Sequence, residues 1–445
     1  MVILGLGTNK GNRLHNLRTA LYHLKLIANL KVIKVSSVYK STALLPNNAV
    51  ANQNQFYLNI AIHCKTTMEP LELLTIIKKL EIQLGRTPTT EKWVDRVIDI
   101  DILAWLHKNI NTPELTIPHK ELQNRPFAIW PFIDVTLYWQ RYIKEQNIIN
   151  NILENLNKWG TKFFNHAPLN THQINHRIDI PQILGILNIT PDSFSDGGKH
   201  HHIDTALKHA IDLFNAGADI IDIGAESTRA NATAVSEEIE WQRLYPVLKS
   251  IINNYKNNPW KPQISIDTRH YNTAHKAISL GIDIINDVSG LSDVNMCKVI
   301  AEANVHAIYM HNVGIPANRN QLISIYKNPA KEVLKWATHR KIQILKTGLK
   351  PNKLIFDPGL GFGKNPQQNL QILKQIHNFH DLEIPLLVGH SRKSFLELAN
   401  NKPSHEKDYE TAVISEFLAR KKIQYLRVHN VEHNIRNLTM QTLIY

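Results

Sequence analysis

The chain has 445 residues, roughly three ~150-residue domain units, with 43% apolar and 20% charged residues. That composition excludes a disordered chain, a coiled coil and a collagen-like fibre, and no run approaches the ~18 uninterrupted apolar residues of a membrane span. The 51 Lys and Arg against 38 Asp and Glu leave a net charge of +13. The excess is spread along the chain, with 19 basic and 12 acidic side chains already in residues 1–158. An even spread suits handling of phosphate-rich small substrates, and the lack of a dense basic run with interleaved aromatics argues against a nucleic-acid partner. The start, Met1 to Gly7, has no basic n-region, so no signal peptide and no membrane partner are expected. Cys64 and Cys297 form no metal or redox pattern, which predicts a reducing, cytoplasmic compartment.

In chain order, residues 1–7 read as an apolar strand, 14–27 as a helix, and 31–39 and 56–64 as strands. Residues 71–84 read as a second helix and 97–105 as a further strand. This β-α-β-β-α-β order predicts an α+β ferredoxin-like domain over residues 1–158. Residues 159–180 are polar and aperiodic and are read as a linker. From 181 to 445 the pattern becomes short apolar strand, then helix. Strands are predicted at 183–189, 219–224, 263–267, 282–288, 305–311, 354–357, 385–389 and 423–429, with helices such as 237–254 and 272–280 between them. Eight units of about 34 residues predict a (β/α)8 barrel, with an open doubly wound sheet as the alternative.

The strand ends favour the barrel. They carry Asn188, Asp222, Asp267, Asn286 with Asp287, His311, Asp357, Ser391 to Lys393, and Arg427 with His429. In a barrel these groups form one ring at the C-terminal face, where active sites lie. Asp267, Asn286, Asp357 and Lys393 mix acceptors and donors as the edge of a flat, nitrogen-rich heterocycle requires. Asn188, Arg427 and His429 offer an oxygen ligand and two cation-type donors, which suits a diphosphate with Mg2+.

In the first domain, Asp99 and Asp101 lie two apart on an alternating segment and so project from one face. Two adjacent carboxylates repel unless a cation lies between them, and a nucleotide's Mg2+ is the natural candidate. Arg86, Lys92, Arg96, His119 and Arg125 could hold a triphosphate. Tyr57, Trp93 and Phe127, with Asn59 nearby, could stack a planar ring. Singly, each cation reads as a solvated surface group and each aromatic as core.

These residues carry two resemblances. Residues 185–198 (GILNITPDSFSDGG), 222–229 (DIGAESTR), 357–364 (DPGLGFGK), 391–393 (SRK) and 427–429 (RVH) resemble the signatures of dihydropteroate synthases over about 183–435. Residues 81–86 (EIQLGR), 93–103 (WVDRVIDIDIL) and 118–127 (PHKELQNRPF), with Gly7 to Asn9 and Tyr57 to Asn59, resemble hydroxymethyldihydropterin pyrophosphokinases over about 2–158. The first resemblance implies condensation of a dihydropterin methylene diphosphate with p-aminobenzoate. Asp267, Asn286, Asp357, Phe362 and Lys393 would hold the pterin, and Asn188 would bind Mg2+. Arg427 and His429 would hold diphosphate, and Thr228, Arg229 and Ser391 would face p-aminobenzoate. The second implies diphosphate transfer from ATP to hydroxymethyldihydropterin. Asp99 and Asp101 would bind two Mg2+, Arg96, Thr116, His119 and Arg125 would contact ATP, and Arg86 and Lys92 would assist catalysis. Tyr57 and Phe127 would sandwich the pterin beside Asn59 and Trp93. A homodimer through the barrel domain is a further expectation. Ala230 and Asn231 stand where the synthase family usually has Pro and Gly, which predicts a somewhat altered p-aminobenzoate pocket.

Other readings predict otherwise. A pterin-barrel methyltransferase would need a methyl donor that the first half does not provide. One half could be an inactive scaffold. The glycines at 5, 7 and 11 lack dinucleotide-fingerprint spacing, 359–364 lacks the residues of a P-loop, and Lys199 to His202 read as a solvated loop.

Overall fold

The computed structural model describes residues 1–43, 56–87, 95–122, 125–136, 171–189, 199–226, 234–256, 261–315, 322–399 and 403–444. They divide into two compact units, Met1–Asp179 and Ile180–Lys256 with Lys261–Tyr445.

The first unit runs β1 (Val2–Thr8), α1 (Arg13–Leu26), β2 (Leu30–Val35), β3 (Tyr39–Ser41), β4 (Tyr57–Thr66), α2 (Pro70–Gln83), β5 (Asp99–Trp105), β6 (Ile110–Asn111), β7 (Thr116–Ile117), α3 (Pro126–Val135) and β8 (His172–Gln173). Its main sheet is antiparallel, in the order β5-β1-β4-β3-β8, with β2 also on β4. This is the expected ferredoxin-like arrangement, extended. The strand predicted at 31–39 is broken into β2 and β3. At the break, the Ser36 hydroxyl accepts from Ala61 N–H and donates to the Ser37 carbonyl, taking over ladder positions.

Alternation along β1 and β5 sorts the two faces. Val2, Leu4, Leu6, Ile100 and Ile102 pack with Leu17, Leu24, Leu73 and Ile77 of α1 and α2. Ile3, Leu103 and Ala104 pack with Ile129, Trp130 and Phe132 of α3. Asp99 and Asp101 therefore open on the α3 face. Helix α3 was not predicted. It begins on Pro126 and contains Pro131, a composition that reads as helix-breaking.

The linker reading of 159–180 is corrected where residues are described. β8 pairs with β3, and buried Arg177 ion-pairs with Asp179 at 2.6 Å and donates to the Val35 carbonyl, so 171–179 belong to the first unit. Residues 159–170 lie outside the described residues.

The second unit runs β9 (Gln182–Asn188), α4 (Lys199–Asn215), β10 (Ile220–Gly224), α5 (Glu237–Tyr255), β11 (Gln263–Asp267), α6 (Tyr271–Ser279), β12 (Ile284–Asp287), α7 (Val294–Ala303), β13 (His306–Met310), α8 (Pro329–Leu345), β14 (Leu354–Asp357), α9 (Pro366–Lys374), β15 (Leu387–Val388), α10 (Asp408–Arg420), β16 (Tyr425–Val428) and α11 (Val431–Ile444). The eight strands are parallel in the order β14-β13-β12-β11-β10-β9-β16-β15. Phe356 N–H donates to the Pro385 carbonyl at 2.9 Å and bridges Leu386, which closes β14 onto β15. The sheet is a barrel, not an open doubly wound sheet. The run at Lys199 to His202, read as loop, opens α4.

Leu184, Ile220, Ile284, Ile308, Ile355 and Leu387, one from each of six strands, fill the barrel beneath its mouth with Tyr425. Truncating fully buried Ile308 to alanine is expected to cost about 2–5 kcal/mol, read by denaturant unfolding, because neighbours in a closed barrel cannot collapse into the gap. No described helix is long and apolar enough to cross a membrane.

Candidate functional site

Each unit presents one site. In the first, a cavity of about 290 Å³ lies on the α3 face of the sheet, bordered by Tyr57, Asn59, Arg96, Asp99, Asp101, His119, Arg125 and Phe127. Glycine on β1 clears its floor. A Cβ at Gly5 would lie 2.9 Å from Leu103, and one at Gly7 would lie 3.2 Å from Asn59 Oδ1. Of the glycines rejected as a dinucleotide fingerprint, Gly5 and Gly7 thus have a steric reason, whereas Gly11 answers to a positive φ of 65°. The cavity gathers the predicted residues of this domain except three groups. Arg86 reaches it only through Asp99, Thr116 lies on β7 outside the lining, and Lys92 and Trp93 fall outside the described residues.

The two carboxylates of β5 are held differently. Asp99 accepts from Arg86 Nη1 at 2.6 Å on one oxygen and from Arg96 Nη1 at 2.7 Å on the other. Burial works against its charge, but Arg96 and Arg86 outweigh it and hold its pKa below the usual carboxylate range. Among the described residues the one ion pair of Asp101 is with Lys78, at 3.9 Å, and His119 and Arg125 act on it from further away. Burial, and then the charge of Asp99, push the Asp101 carboxyl upward. A same-face carboxylate pair with one member so weakly countered is an all-oxygen donor set suited to a hard divalent cation, so the residues fit Mg2+. Burial lowers the His119 pKa, with Asp101 opposing the shift.

Behind this pair lie residues that the motif reading passed over. Buried Glu81 accepts from Ile100 N–H at 2.6 Å and binds Lys78 and Arg86, fixing β5 from beneath. Asn9 brackets the approach to Arg96: its Oδ1 accepts from Arg96 N–H at 2.7 Å and its Nδ2 donates to Asp95. Buried Arg13 in turn donates to the carbonyls of Asn9, Gly11 and Phe56. Glu81 and Asn9 each lay inside a quoted motif without being given a role, and Arg13 carried no sequence signal.

In the second unit the strand register puts the predicted ring at one level. Asn188 pairs with Gly224, Gly224 with Asp267, and Asp267 with Asn286. Arg427 reaches across the barrel, with Nε on Asp222 and Nη2 on Asp267, each at 2.6 Å. Asp222 also accepts from Ser265 Oγ and Asn286 Nδ2. Burial pushes the Asp267 carboxyl up to about 7, although Arg427 opposes the shift. Burial also works against the charge of Arg427, but Asp222 and Asp267 more than restore it.

Asp357 accepts from Gly359 N–H at 2.7 Å, and burial raises its pKa. Lys393 Nζ lies 4.5 Å from the centre of the Phe362 ring, a cation–π contact. A Cβ at Gly361 would fall 3.3 Å from Lys393 Cδ, so glycine there leaves room for that contact.

His429 departs from the expectation of a second cation. Burial, followed by Arg392, Arg427 and Lys393, lowers its pKa to about 3, so a neutral imidazole faces Ser391 Oγ at 3.0 Å. Thr228 and Arg229, with Ala230 and Asn231, lie outside the described residues. The ends of their loop are anchored: Glu226 takes the fork of Arg269 at 2.9 Å on both oxygens and accepts from Val235 N–H. Asp222 was read as one of the rim groups, but its pairing with Arg427, like the role of Arg269, depends on partners distant in sequence.

Comparison with known proteins agrees with this division. A family model described as 7,8-dihydro-6-hydroxymethylpterin-pyrophosphokinase (HPPK) matches residues 3–137, and one described as pterin binding enzyme matches 184–429. The chain is 33% identical to a folate synthesis bifunctional protein of Arabidopsis thaliana, over 98% of this chain and 94% of that one. It is 34% identical to that of Chlamydia muridarum, over 98% and 96%. The crystal structure of dihydropteroate synthase from Anaplasma phagocytophilum with bound 6-hydroxymethylpterin-monophosphate aligns with a TM-score of 0.55 and 35% identity, covering 60% of this chain and all of that one. Dihydropteroate synthase of Xanthomonas albilineans with 4-aminobenzoic acid aligns with a TM-score of 0.55 and 31% identity, over 60% and 93%.

Proposed function

The chain belongs to the folate synthesis bifunctional proteins, a pyrophosphokinase domain followed by a pterin binding enzyme domain, and from that premise we propose how its two sites divide the work. It is a bifunctional transferase. The first unit moves diphosphate from ATP to 6-hydroxymethyl-7,8-dihydropterin, releasing AMP. The second joins the pterin diphosphate to p-aminobenzoate, giving 7,8-dihydropteroate and diphosphate.

In our reading of the first step, Tyr57 and Phe127 sandwich the pterin with Asn59 at its edge, and Trp93 lies beside it. Arg96, Thr116, His119 and Arg125 contact ATP. Asp99 and Asp101 hold Mg2+, which supplies charge neutralisation on the phosphates when bound. Asp99 is shared between cation and arginines, so Arg86 and Arg96 are ready to turn from the carboxylate to phosphate oxygens, and Lys92 adds a further cation. The pterin hydroxyl oxygen bonds to the β-phosphorus as the bond from that phosphorus to the AMP oxygen breaks, and the hydroxyl proton leaves to solvent.

For the second step, Asp267, Asn286, Asp357 and Lys393 grip the pterin edge, with Phe362 against it. Asn188 serves as an Mg2+ ligand, an oxygen donor at the same strand level. Arg427 holds the departing diphosphate and neutral His429 donates a hydrogen bond to it. The bond between methylene carbon and diphosphate oxygen breaks, the amine nitrogen of p-aminobenzoate bonds to that carbon, and the amine loses a proton. Thr228, Arg229 and Ser391 orient p-aminobenzoate. The protein contributes positioning and leaving-group stabilisation. The two buried free thiols, Cys64 and Cys297, fit a reducing compartment such as the cytoplasm. A homodimer through the barrel belongs to the same proposal.

The observation that carries the assignment is the register-aligned ring at the barrel mouth, crossed by the Arg427 ion pairs. A single coupled assay tests the whole. With ATP, Mg2+, hydroxymethyldihydropterin and p-aminobenzoate supplied, AMP and dihydropteroate should appear in equal amounts. Dihydropteroate formation that does not depend on ATP would defeat the sequence of steps.

A further inference from the structure

Lys364 ends the 357–364 signature, and the reading above leaves it without a role. It is 5% exposed. Its Nζ donates to the carbonyls of Gly359 and Phe362, both at 2.8 Å, and lies 2.9 Å from His311 Nδ1, with the His311 carbonyl at 3.4 Å. An ammonium donates and has no lone pair, so His311 Nδ1 at 2.9 Å can only accept from it, hence a neutral ring. Burial, with the charge of Lys364, holds the His311 pKa at about 2.

The loop is wound around this ammonium. His311 N–H donates to the Asp357 carbonyl, and Phe362 N–H donates to the Gly359 carbonyl. Gly361 N–H donates to Asn369 Oδ1, whose Nδ2 returns to the Lys364 carbonyl. Gly359, Gly361 and Gly363 all have positive φ, at 64°, 82° and 68°. A Cβ on Gly359 would overlap the His311 carbonyl oxygen, so the close approach of the β13 and β14 ends admits only glycine. The outer surface of the coil is the pterin-facing part of the barrel mouth. Phe362 lies under Lys393, and the Asp357 carboxylate is aimed by Gly359 N–H. A buried charge is costly, and an apolar side chain of similar length would fill the same volume. What the ammonium adds is direction: it fixes two carbonyls and an imidazole, and with them the turn between Asp357 and Phe362.

We propose that Lys364 is a positioning residue for the second reaction, its buried ammonium holding the Gly359 and Phe362 carbonyls and the His311 ring so that the Phe362 face and the Asp357 carboxylate are set to receive the pterin against Lys393. The inference rests on the assignment of the pterin to Asp267, Asn286, Asp357 and Lys393. Burial lowers the Lys364 pKa to about 7, with Asp357 opposing and Lys393 reinforcing the shift. The groups facing it are thus Asp357, Lys393 and neutral His311. Deprotonation above neutrality removes one of its three donors, so pterin affinity falls as pH rises.

The test uses the full chain, supplied with preformed pterin diphosphate and p-aminobenzoate, and the first reaction of the same molecules as a control for protein integrity. Lys364→Met is expected to raise the KM for pterin diphosphate by about tenfold or more, the effect of one lost charge-assisted hydrogen bond. The KM for p-aminobenzoate and kcat should stay near wild type. Lys364→Gln keeps two N–H donors, and serves if the methionine variant's barrel fails to fold. It is expected to raise the pterin KM by less than the methionine variant does, and to weaken the dependence of that KM on pH expected of wild type between about pH 6.5 and 8. An unchanged pterin KM, or equal shifts in both KM values and kcat, overturns the proposal. Asp357→Asn separates the layers. If that variant still binds pterin diphosphate normally, the pterin assignment itself falls. If it loses binding while Lys364→Gln behaves as wild type, only the role of Lys364 falls.

Discussion

Replacing Asp101 with alanine is expected to lower diphosphate transfer from ATP by about 10³-fold or more, in the upper range seen when one preorganised electrostatic group is lost from an active site. The same variant, given preformed pterin diphosphate, should make dihydropteroate at the wild-type rate, because Asp101 lies in the first unit and the second reaction belongs to the barrel. The fold should tolerate the change. The nearest cation among the described residues, Lys78, is 3.9 Å away and is already bound to Glu81 and the Ile100 carbonyl, so no buried charge is stranded there. Asp99→Ala differs in kind, because it frees Arg86 and Arg96 together. The raised pKa of Asp101 also orders the acid limb. As pH falls, Asp101 takes a proton before Asp99, whose arginines favour its charged form. In the metal-free protein, Asp101 should therefore become neutral while the Asp99 ion pairs persist. Both activities lost together in Asp101→Ala, or neither, would contradict the separation of the two sites.

Much of this site arrangement was legible because strands impose a period of two. Alternation put Asp99 and Asp101 on one face, and eight evenly spaced apolar segments placed their polar ends on one rim. Less legible was what lies between elements. Helix α3 is masked by Pro126 and Pro131, and the break at Ser36 depends on a hydroxyl that substitutes for backbone. Ion-pair choice was not legible either. Arg427 and Asp222 are 205 positions apart, and only closure of the barrel decides that Arg427 turns to Asp222 and Asp267. The charge state of His429 follows from burial among three cations that no local pattern reveals. Glycines 5 and 7 show the same limit: their absent side chains make sense only once Leu103 and Asn59 stand beside them.

Arg427→Met is expected to abolish dihydropteroate formation and to destabilise the barrel by about 3–5 kcal/mol at pH 8, the usual cost of removing one partner of a buried ion pair. The guanidinium serves two buried carboxylates at once, Asp222 and Asp267. Serine and asparagine hydrogen bonds remain for Asp222, while Asp267 loses its cation and its pKa, already about 7, rises further. A carboxyl whose pKa is raised in the folded state stabilises that state while protonated, and that contribution is lost as pH rises through the raised pKa. The deficit of the variant relative to wild type should therefore shrink as pH is lowered from about 8 towards 5.5, as Asp267 becomes a neutral acid. Denaturant unfolding at the two pH values, with hydrogen exchange of the β11 and β16 amides to locate the loss, reads this directly. The kinase reaction of the same chain should be untouched. A deficit independent of pH would mean that Arg427 supports the barrel through its packed stem rather than through charge, and the ring would then need another source for its leaving-group stabilisation.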